Sequence, residues 1–181
     1  MSNLFEIKVC GINDKISMNT ALKCKVDYIG LVFYPNSPRN VSFNLSRKLL
    51  KSRSKLSKIV ALTVDPNDDF LNEIKKFVNP DYIQLHGNEN SRRCLDIKNK
   101  LNIPLIKGIN VKNKVELFRS SKEFEDICDI LLLDAPSEAL PGGNGKKFDW
   151  DILKDFKSKK KWMLAGGLNI ENIENAIDIT K

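Results

Sequence analysis

Short apolar runs alternate with longer amphipathic segments along the whole chain, and this alternation limits the folds that it can adopt. The apolar runs predict strands at residues 5–10, 27–33, 58–64, 81–85, 104–109, 129–134 and 161–165. The other segments predict helices at residues 14–24, 44–52, 67–78, 90–99, 111–119, 149–156 and 169–178. Strands that alternate with helices at this spacing form a parallel sheet, either open and doubly wound or closed into a barrel.

Two observations favour the barrel over the open sheet. The chain has no Gly-x-Gly-x-x-Gly motif after the first strand and no Gly-Lys-Ser or Gly-Lys-Thr phosphate loop. In addition, polar residues interrupt otherwise apolar strands, where a sheet covered by helices on both faces would exclude them: Lys8, Gln84, Lys107 and Asp134. A barrel can turn these side chains toward its interior. We therefore expect an α/β fold, a TIM (βα)8-type barrel in a single domain over residues 1–181.

The formal net charge of +7 suits an anionic small substrate, a nucleic acid or simply a lysine-rich surface. Two basic clusters stand out, one between residues 47 and 58 and the other between residues 157 and 161. Neither cluster has the interleaved aromatic residues of a single-strand binding surface, so we expect solvated faces and no nucleic-acid partner. A basic, non-catalytic nucleic-acid-binding domain stays open as the alternative from a different class.

Cysteine usage and hydropathy exclude several further classes. The chain has one histidine, and its four cysteines show no spacing typical of a zinc site or a disulfide framework: Cys10, Cys24, Cys94 and Cys128. No apolar run approaches the roughly 20 residues of a membrane-crossing helix, and no secretory signal is recognisable. We therefore expect reduced thiols, no metal, no membrane partner and a cytoplasmic location.

Three candidate catalytic residues stand at the C-terminal ends of predicted strands, where active sites of such barrels lie. Cys10 closes the first strand, and Gly11 allows a sharp turn directly after it. A buried structural cysteine is the simpler interpretation of Cys10 taken alone. His86 and Asp134 occupy corresponding places after the fourth and sixth strands, and the alternation along these strands predicts that both face the interior.

Loops after other strands add candidate binding residues. The proline-braced loop from Phe33 to Val41 carries Arg39, for which plain exposure on a rigid turn is the alternative. Glycine-rich turns follow the sixth and seventh strands, at Gly142, Gly143, Gly166 and Gly167. Glycines ahead of a helix let backbone N–H groups approach a phosphate, and the helix dipole favours its negative charge. We expect such a helix to open at Asn169.

Six separated segments, taken in order, resemble the phosphoribosylanthranilate isomerase family of tryptophan biosynthesis. They are Lys8–Ile12, Phe33–Val41, Gln84–Gly87, Leu132–Asp134, Gly142–Trp150 and Leu164–Asn169, and they span nearly the whole chain. The resemblance implies that Cys10 is the general base, Asp134 the general acid and Arg39 the anchor for an anthranilate carboxylate. It also implies a small anionic phosphoribosyl substrate, contacted by His86 and held at its phosphate by backbone around Gly142, Gly143, Gly166 and Gly167.

The implied reaction is the Amadori rearrangement of N-(5-phosphoribosyl)anthranilate, which needs one acid and one base but no cofactor. The acid opens the furanose ring, and the base removes a proton from the neighbouring carbon. Lys8, Lys107 and protonated His86 are possible sources of thiol activation if they face the same interior. Another sugar-phosphate barrel isomerase, such as the two-aspartate enzyme of the histidine pathway, is the nearest alternative, and Cys10 argues against it.

The chain stops at Ile179-Thr180-Lys181, where the resemblance implies an eighth strand, an eighth helix and the second half of the phosphate site. We expect either that the 181 residues are a truncated form of a longer protein or that the missing unit comes from elsewhere. Seven units alone should leave the first and seventh strands open to other chains, promote aggregation and weaken phosphate binding. The oligomeric state does not follow from the sequence.

Overall fold

The computed structural model describes residues 5–135 and 149–180, which form one parallel sheet of seven strands flanked by helices. Strands that are neighbours in the sheet are also consecutive in the chain, and every pairing is parallel. The strands are β1 Lys8–Cys10, β2 Tyr28–Phe33, β3 Lys58–Thr63, β4 Tyr82–Leu85, β5 Leu105–Asn110, β6 Ile130–Asp134 and β7 Lys161–Leu164.

The strand order confirms the barrel-type fold and excludes the open doubly wound sheet. A doubly wound sheet reverses its strand order at a switch point, whereas each strand here is followed by the next in one direction along the wall. The described residues supply seven strands of a TIM (βα)8-type barrel, as the sequence predicted. In this part of the chain β1 and β7 are the two edges of the sheet.

Helices pack against the outer face of the sheet, and several begin at a residue whose side chain caps the first turn. They are α1 Lys15–Lys23, α2 Phe43–Leu50, α3 Asp68–Phe77, α4 Ser91–Leu101, α5 Lys114–Glu125 and α6 Ile173–Thr180, with a 3-10 helix at Trp150–Leu153. Asn67, Asn90 and Asn113 each accept, through Oδ1, the backbone N–H three residues further along at 2.8 or 2.9 Å. Each cap satisfies an N–H group that the helix itself leaves unpaired.

The predicted helix at residues 149–156 is wrong in length, because only a short 3-10 helix forms there. Trp150 and Leu153 are buried and hold this single turn against the core. Lys154 then leaves the helical conformation, and Asp155 follows with a φ of +67°, in the left-handed region that ends a right-handed helix.

Two further helices have other bounds than predicted. α5 continues six residues beyond its predicted end, because Ser121 and Phe124 extend its buried face. α6 does not open at Asn169, whose side-chain oxygen instead accepts the N–H groups of Glu171 and Asn172 in the turn before the helix. Among the described residues, no helix has the length and apolarity needed to cross a membrane.

Alternation along the strands builds two apolar layers, one on each face of the sheet. The outer layer lies between strands and helices and contains most of the core, including Ile29, Ile59, Ile83, Leu105, Leu71 and Leu117. The inner layer is smaller and contains Tyr28, Val60, Ile106, Ile130 and Leu132. The ring of Tyr28 meets that of Tyr82 edge-on, with 5.7 Å between centroids. The inner layer fills the barrel below the C-terminal strand ends and leaves those ends to polar side chains.

A polar cluster joins the two edges of the sheet at its N-terminal side. Lys161, at the start of β7, donates to the carboxylate of Glu6, and its Nζ lies 3.2 Å from the hydroxyl oxygen of Tyr28. The hydrogen bond from Lys161 holds the pKa of the Glu6 carboxyl below its usual value. Burial, together with the hydrogen bond to Glu6, raises the pKa of Tyr28 to about 12. Side chains therefore connect β7 to the residues that precede β1.

Candidate active site

Cys10 ends β1 in a notch that Gly30 leaves open on β2. The two residues are paired in register, and a Cβ atom at residue 30 would lie 2.8 Å from Sγ of Cys10. Gly11 follows with a φ of +89°, and the N–H groups of Gly11 and Ile12 both donate to the carbonyl oxygen of Gly30, at 2.9 and 3.1 Å. This turn presents a partly buried thiol at the C-terminal rim of the sheet.

The loop after β2 brings Arg39 to the same edge. Asn40 forms a parallel bridge with Val32, so the loop folds back onto its own strand. Nη1 of Arg39 donates to the carbonyl oxygen of Cys10 at 3.4 Å, and a Cβ atom on Gly11 would lie 2.5 Å from Cδ of Arg39. The arginine side chain therefore lies across Gly11, directly beside the residue that carries the thiol.

Asp134 and His86 meet on the inner face at the opposite part of the sheet. Oδ2 of Asp134 lies 3.2 Å from Nε2 of His86, and the two side chains are 8% and 5% exposed. Oδ1 of Asp134 accepts the N–H of Ala135 at 2.8 Å. Each carboxyl oxygen thus has its own partner, which holds the group in one orientation. The two polar strand ends share the interior, as the alternation along β4 and β6 predicted.

Gln84 and Gly108 shape the pair of His86 and Asp134, and Gly30 shapes the site of Cys10; none of the three was among the predicted site residues. Nε2 of Gln84 lies 3.0 Å from Nδ1 of His86. A Cβ atom at Gly108 would lie 2.4 Å from the same ring nitrogen, and one at Gly30 would meet the thiol of Cys10 in the same way. Only residues without a side chain leave this room. A glycine on the inner face of an apolar strand is the sequence signal that was available for Gly30 and Gly108.

Lys107 does not face the interior, which corrects the expectation for that residue. Its Nζ contacts Oε2 of Glu89 and the carbonyl oxygen of Gly87, both at 2.8 Å, and lies 5.5 Å from the ring centroid of Phe124 on α5. Because successive residues alternate faces, Lys107 points to the helix layer while its neighbours on β5 point inward. Lys107 therefore cannot activate the thiol of Cys10 from the inner face. Lys8, in contrast, pairs in register with Tyr28 of the inner layer.

The glycine turn after β7 lies against Asp134. Gly166 and Gly167 have φ values of +87° and +65°, and a Cβ atom on Gly166 would lie 2.8 Å from Oδ1 of Asp134 and 2.6 Å from the nitrogen of Ala135. Nδ2 of Asn172 donates to the carbonyl oxygen of Gly167 at 2.9 Å and closes the turn. The other two glycines predicted for the site, Gly142 and Gly143, lie outside the described residues.

The remaining cysteines lie away from this rim. Cys94 and Cys128 are buried between the sheet and the helices, and Cys24 is exposed. Within residues 5–135 and 149–180, no three histidine, cysteine or carboxylate side chains converge on a common point that could hold a metal ion. The thiol of Cys10, the carboxyl group of Asp134 and the guanidinium group of Arg39 offer proton transfer and anion binding at this rim.

A parallel barrel wall that presents a thiol, a guanidinium group and an oriented carboxyl group at its C-terminal rim defines an acid–base enzyme of the (βα)8-barrel type. Residues 7–181 match the family model of N-(5'phosphoribosyl)anthranilate (PRA) isomerase. The chain therefore belongs to the N-(5'-phosphoribosyl)anthranilate isomerase family, and it is an isomerase of tryptophan biosynthesis, as its motifs predicted.

Individual relatives and solved structures agree with this assignment. The isomerase of Agrobacterium fabrum is 36% identical over 179 residues, which cover 97% of this chain and 81% of the relative. That of Sinorhizobium medicae is 38% identical over 178 residues, which cover 97% and 82%. The crystal structure of the Thermotoga maritima enzyme superposes with a TM-score of 0.86 at 26% identity and covers 98% of this chain and 84% of that one.

One solved relative contains a ligand. It is a phosphoribosyl anthranilate isomerase in complex with reduced 1-(o-carboxyphenylamino)-1-deoxyribulose 5-phosphate. This structure has a TM-score of 0.83 and 26% sequence identity, and the match covers 98% of this chain and 83% of that chain.

Proposed function

We propose that this chain converts N-(5'-phosphoribosyl)anthranilate to 1-(o-carboxyphenylamino)-1-deoxyribulose 5-phosphate, with Cys10 and Asp134 as the two proton-transfer groups. The observation that carries this proposal is the placement of a thiol and an oriented carboxyl group on one rim of a barrel of this family. The ligand bound by the solved relative is a reduced form of the product. A phosphoribosyl compound of this kind is the partner that the proposal assigns to the site.

Asp134 is the general acid of the first step. It donates a proton to the ring oxygen of the ribose while the bond between that oxygen and C1 breaks. The nitrogen lone pair forms a double bond to C1, which gives a protonated Schiff base. The hydrogen bonds from His86 and Ala135 support this role, because they fix the direction in which the carboxyl group presents its proton. A positioned acid of this kind contributes about 10²-fold to 10⁴-fold in rate.

Cys10 is the general base of the second step. Its thiolate takes the proton from C2 of the opened sugar, and the electrons of that bond form a C1–C2 double bond and neutralise the nitrogen. The resulting enolamine then tautomerises to the ketone. The notch opposite Gly30 supports this role, because it leaves the sulfur unobstructed on the inner face. A thiol is suited to this step because its thiolate form is accessible near neutral pH.

Arg39 anchors the anthranilate carboxylate beside the base. A guanidinium group has five N–H donors in a planar fork, and its recorded bond to the Cys10 carbonyl oxygen engages one end of that fork. A carboxylate that docks on this group would place the ribose over the strand ends. The positive φ values of Gly166 and Gly167 support a backbone cradle for the 5-phosphate next to Asp134. We include Gly142 and Gly143 in that cradle on the family resemblance.

The decisive test is a fluorescence assay that follows loss of the anthranilate substrate. At saturating substrate, which offsets the weak phosphate binding expected of seven units, the 181-residue chain should turn over, the Cys10→Ser variant should be inactive, and the Cys24→Ser variant should match the parent. Cys24 is the matched control because it is an exposed thiol outside the rim. An inactive but folded parent chain, or a Cys10→Ser variant with near-parental turnover, would contradict the proposal.

A further inference from the structure

Gln84, His86 and Asp134 form a connected row of hydrogen-bonding groups on the inner face. The amide Nε2 of Gln84 lies 3.0 Å from Nδ1 of His86, and Nε2 of His86 lies 3.2 Å from Oδ2 of Asp134. Gln84 is 1% exposed, and the imidazole between the two groups is almost as deeply buried. Both ring nitrogens therefore have protein partners, and these partners decide where the imidazole proton resides.

The amide of Gln84 places its NH₂ group against Nδ1. An NH₂ group is a donor only, so Nδ1 must accept, and the imidazole proton then belongs on Nε2. The Nε2–H group in turn donates to the Asp134 carboxyl group. A proton on Nδ1 would set two donors against each other.

We propose that Gln84 is a positioning residue that holds His86 as its neutral Nε2–H tautomer, so that His86 orients Asp134 without competing for the proton that Asp134 delivers. This inference rests on the proposed function, because it assumes that Asp134 is the acid. If His86 were an imidazolium, it would form an ion pair with an Asp134 carboxylate. That carboxylate would have no proton to give to the ring oxygen of the substrate.

The other end of the Gln84 amide argues for a functional rather than a structural role. Its Oε1 atom is buried and has no hydrogen-bond partner within the described residues. A buried unpaired carbonyl oxygen costs stability, so a residue selected for packing alone would not carry it. Methionine has nearly the same shape and no such oxygen. The Gln84→Met variant should therefore have an unchanged or raised melting temperature while its turnover falls.

Nuclear magnetic resonance of the histidine ring tests the tautomer directly. The chain contains a single histidine, so the ring nitrogens of a protein labelled with ¹⁵N-histidine give unambiguous signals. At neutral pH the parent chain should show a protonated Nε2 and an unprotonated Nδ1. The Gln84→Glu variant places an acceptor against Nδ1 and should show protons on both nitrogens. The Gln84→Met variant keeps Asp134 against Nε2 but removes the donor from Nδ1, so it should show a larger share of rings protonated on both nitrogens than the parent chain.

Kinetics of the same variants complete the test. The kcat of Gln84→Glu should fall about 10²-fold to 10⁴-fold, the contribution of a general acid, with KM nearly unchanged. The kcat of Gln84→Met should fall about tenfold, the value of one hydrogen bond. A parent chain with the proton on Nδ1, or variants with parental ring signals and parental kcat, would overturn the inference. If Gln84→Glu does not fold, the ring signals of the parent chain and of Gln84→Met still test whether Gln84 sets the tautomer of His86.

Failure of this inference and failure of the proposed function are distinguishable. The ring signals are recorded without substrate, so they report the tautomer whether or not the chain turns over. If Asp134→Asn and Cys10→Ser lose turnover while both Gln84 variants keep it, the inference falls and the proposed function stands. If the parent chain is folded and inactive on the anthranilate substrate, the proposed function falls first.

Discussion

Asp134 ends β6, which pairs with β5 on one side and β7 on the other, whereas Cys10 ends the three-residue strand β1, which pairs only with β2 among the described residues. On the acid side, which comprises β4 to β6, the carboxyl group has His86, Ala135 and Gly166 around it. On the base side, which comprises β1 and β2, the thiol of Cys10 is partly exposed, and Arg39 lies beside it.

This difference has a physical reason. A carboxylic acid must present its proton in one direction, so buried hydrogen bonds and close packing hold it in place. A thiolate presents a single large atom whose reach matters more than its orientation, so the short strand β1 and the glycine notch suffice to hold it. We therefore expect changes that disturb packing on the acid side to lower stability, and changes on the base side to affect mainly substrate handling.

The largest effect on stability should come from the ion pair that supports the acid side from outside. The Lys107→Met variant leaves Glu89 buried and without its cation, and Glu89 also accepts the N–H groups of Asp65 and Gly87. Breaking a buried pair in this way costs about 3 to 5 kcal/mol of unfolding free energy. Urea unfolding measures this loss, and a second change, Glu89→Gln, should restore part of it.

A matched control for that variant is Lys100→Met, which removes an ion pair to Asp68 at the surface. The side chains of this pair are 60% and 40% exposed, so solvent screens their attraction and its loss should cost much less stability than the loss of the buried pair. Equal losses in Lys107→Met and Lys100→Met would show that the buried pair does not support the acid side.

On the base side, the Arg39→Ala variant should raise KM with little change in unfolding free energy. One charge-assisted hydrogen bond to a carboxylate is worth about 1.5 to 3 kcal/mol, or very roughly 10-fold to 100-fold in affinity. Steady-state kinetics with the anthranilate substrate, together with a thermal melt, check both parts. A KM equal to that of the parent chain would remove the anchor role from Arg39.

The inner-face glycines Gly108, on the acid side, and Gly30, on the base side, allow the same substitution by alanine to be compared on the two sides. A methyl group at residue 108 would lie 2.4 Å from Nδ1 of His86, and one at residue 30 would lie 2.8 Å from Sγ of Cys10. Gly108→Ala should lose about 1 to 3 kcal/mol by overpacking, because β4 and β6 fix β5 on both sides. Gly30→Ala should lose less, because the methyl group would press against β1, which is only three residues long and carries the partly exposed Cys10. Urea unfolding measures the loss of unfolding free energy in each variant. A larger loss in Gly30→Ala than in Gly108→Ala would contradict the proposed difference between the acid side and the base side.

The smallest effect should come from Lys161→Met, which removes the link between the two edges. The hydrogen bond with Lys161 lowers the pKa of Glu6, so the stability that Glu6 contributes is present above its unfolded value near 4.5 and is lost as the pH falls through the folded pKa. Burial acts against the charge of Lys161, but the hydrogen bonds with Glu6 and Tyr28 raise its pKa overall, so its contribution is lost only as strongly alkaline pH is reached. The variant should therefore lie closest to the parent chain at acid pH.

The pair Lys161 and Glu6 is 44% and 40% exposed, so the expected difference is small. Thermal melts from acid to alkaline pH measure it, with Lys159→Met as the control from the same basic cluster. If Lys159→Met showed the same pH dependence, the effect would belong to net charge and not to the link between the edges.

The sequence predicted the strands closely because each is a short apolar run between clear breaks. It also placed His86 and Asp134 on one face, since both stand in register with alternating apolar residues on β4 and β6. The predicted inward orientation of Lys107 was wrong, because the presence of a polar residue in a strand does not by itself determine which face of the sheet it occupies. Its partner Glu89 lies in the loop after the preceding strand, and only the register of β4 with β5 brings the two together.

Other features depended on contacts that no local pattern contains. The 3-10 helix ends where Asp155 takes a left-handed conformation, which its residue type permits but does not require. The roles of Gly30 and Gly108 follow from what lies opposite them on neighbouring strands. Gln84 was recognised as polar in an apolar strand, but its function depends on a ring nitrogen at 3.0 Å.

The assignment of Cys10 and Asp134 as the two proton-transfer groups is tested most directly by measuring turnover and ligand binding on the same two variants, Cys10→Ser and Asp134→Asn. Each change keeps the volume of the side chain and removes one proton-transfer group. The ligand is the reduced 1-(o-carboxyphenylamino)-1-deoxyribulose 5-phosphate found in the solved relative, and calorimetry gives its affinity. If Cys10 is the general base and Asp134 the general acid, both variants should bind this ligand nearly as the parent chain does, and neither should turn over substrate. Measurable turnover by either variant at more than about a hundredth of the parental rate would contradict the assignment of that residue as acid or base.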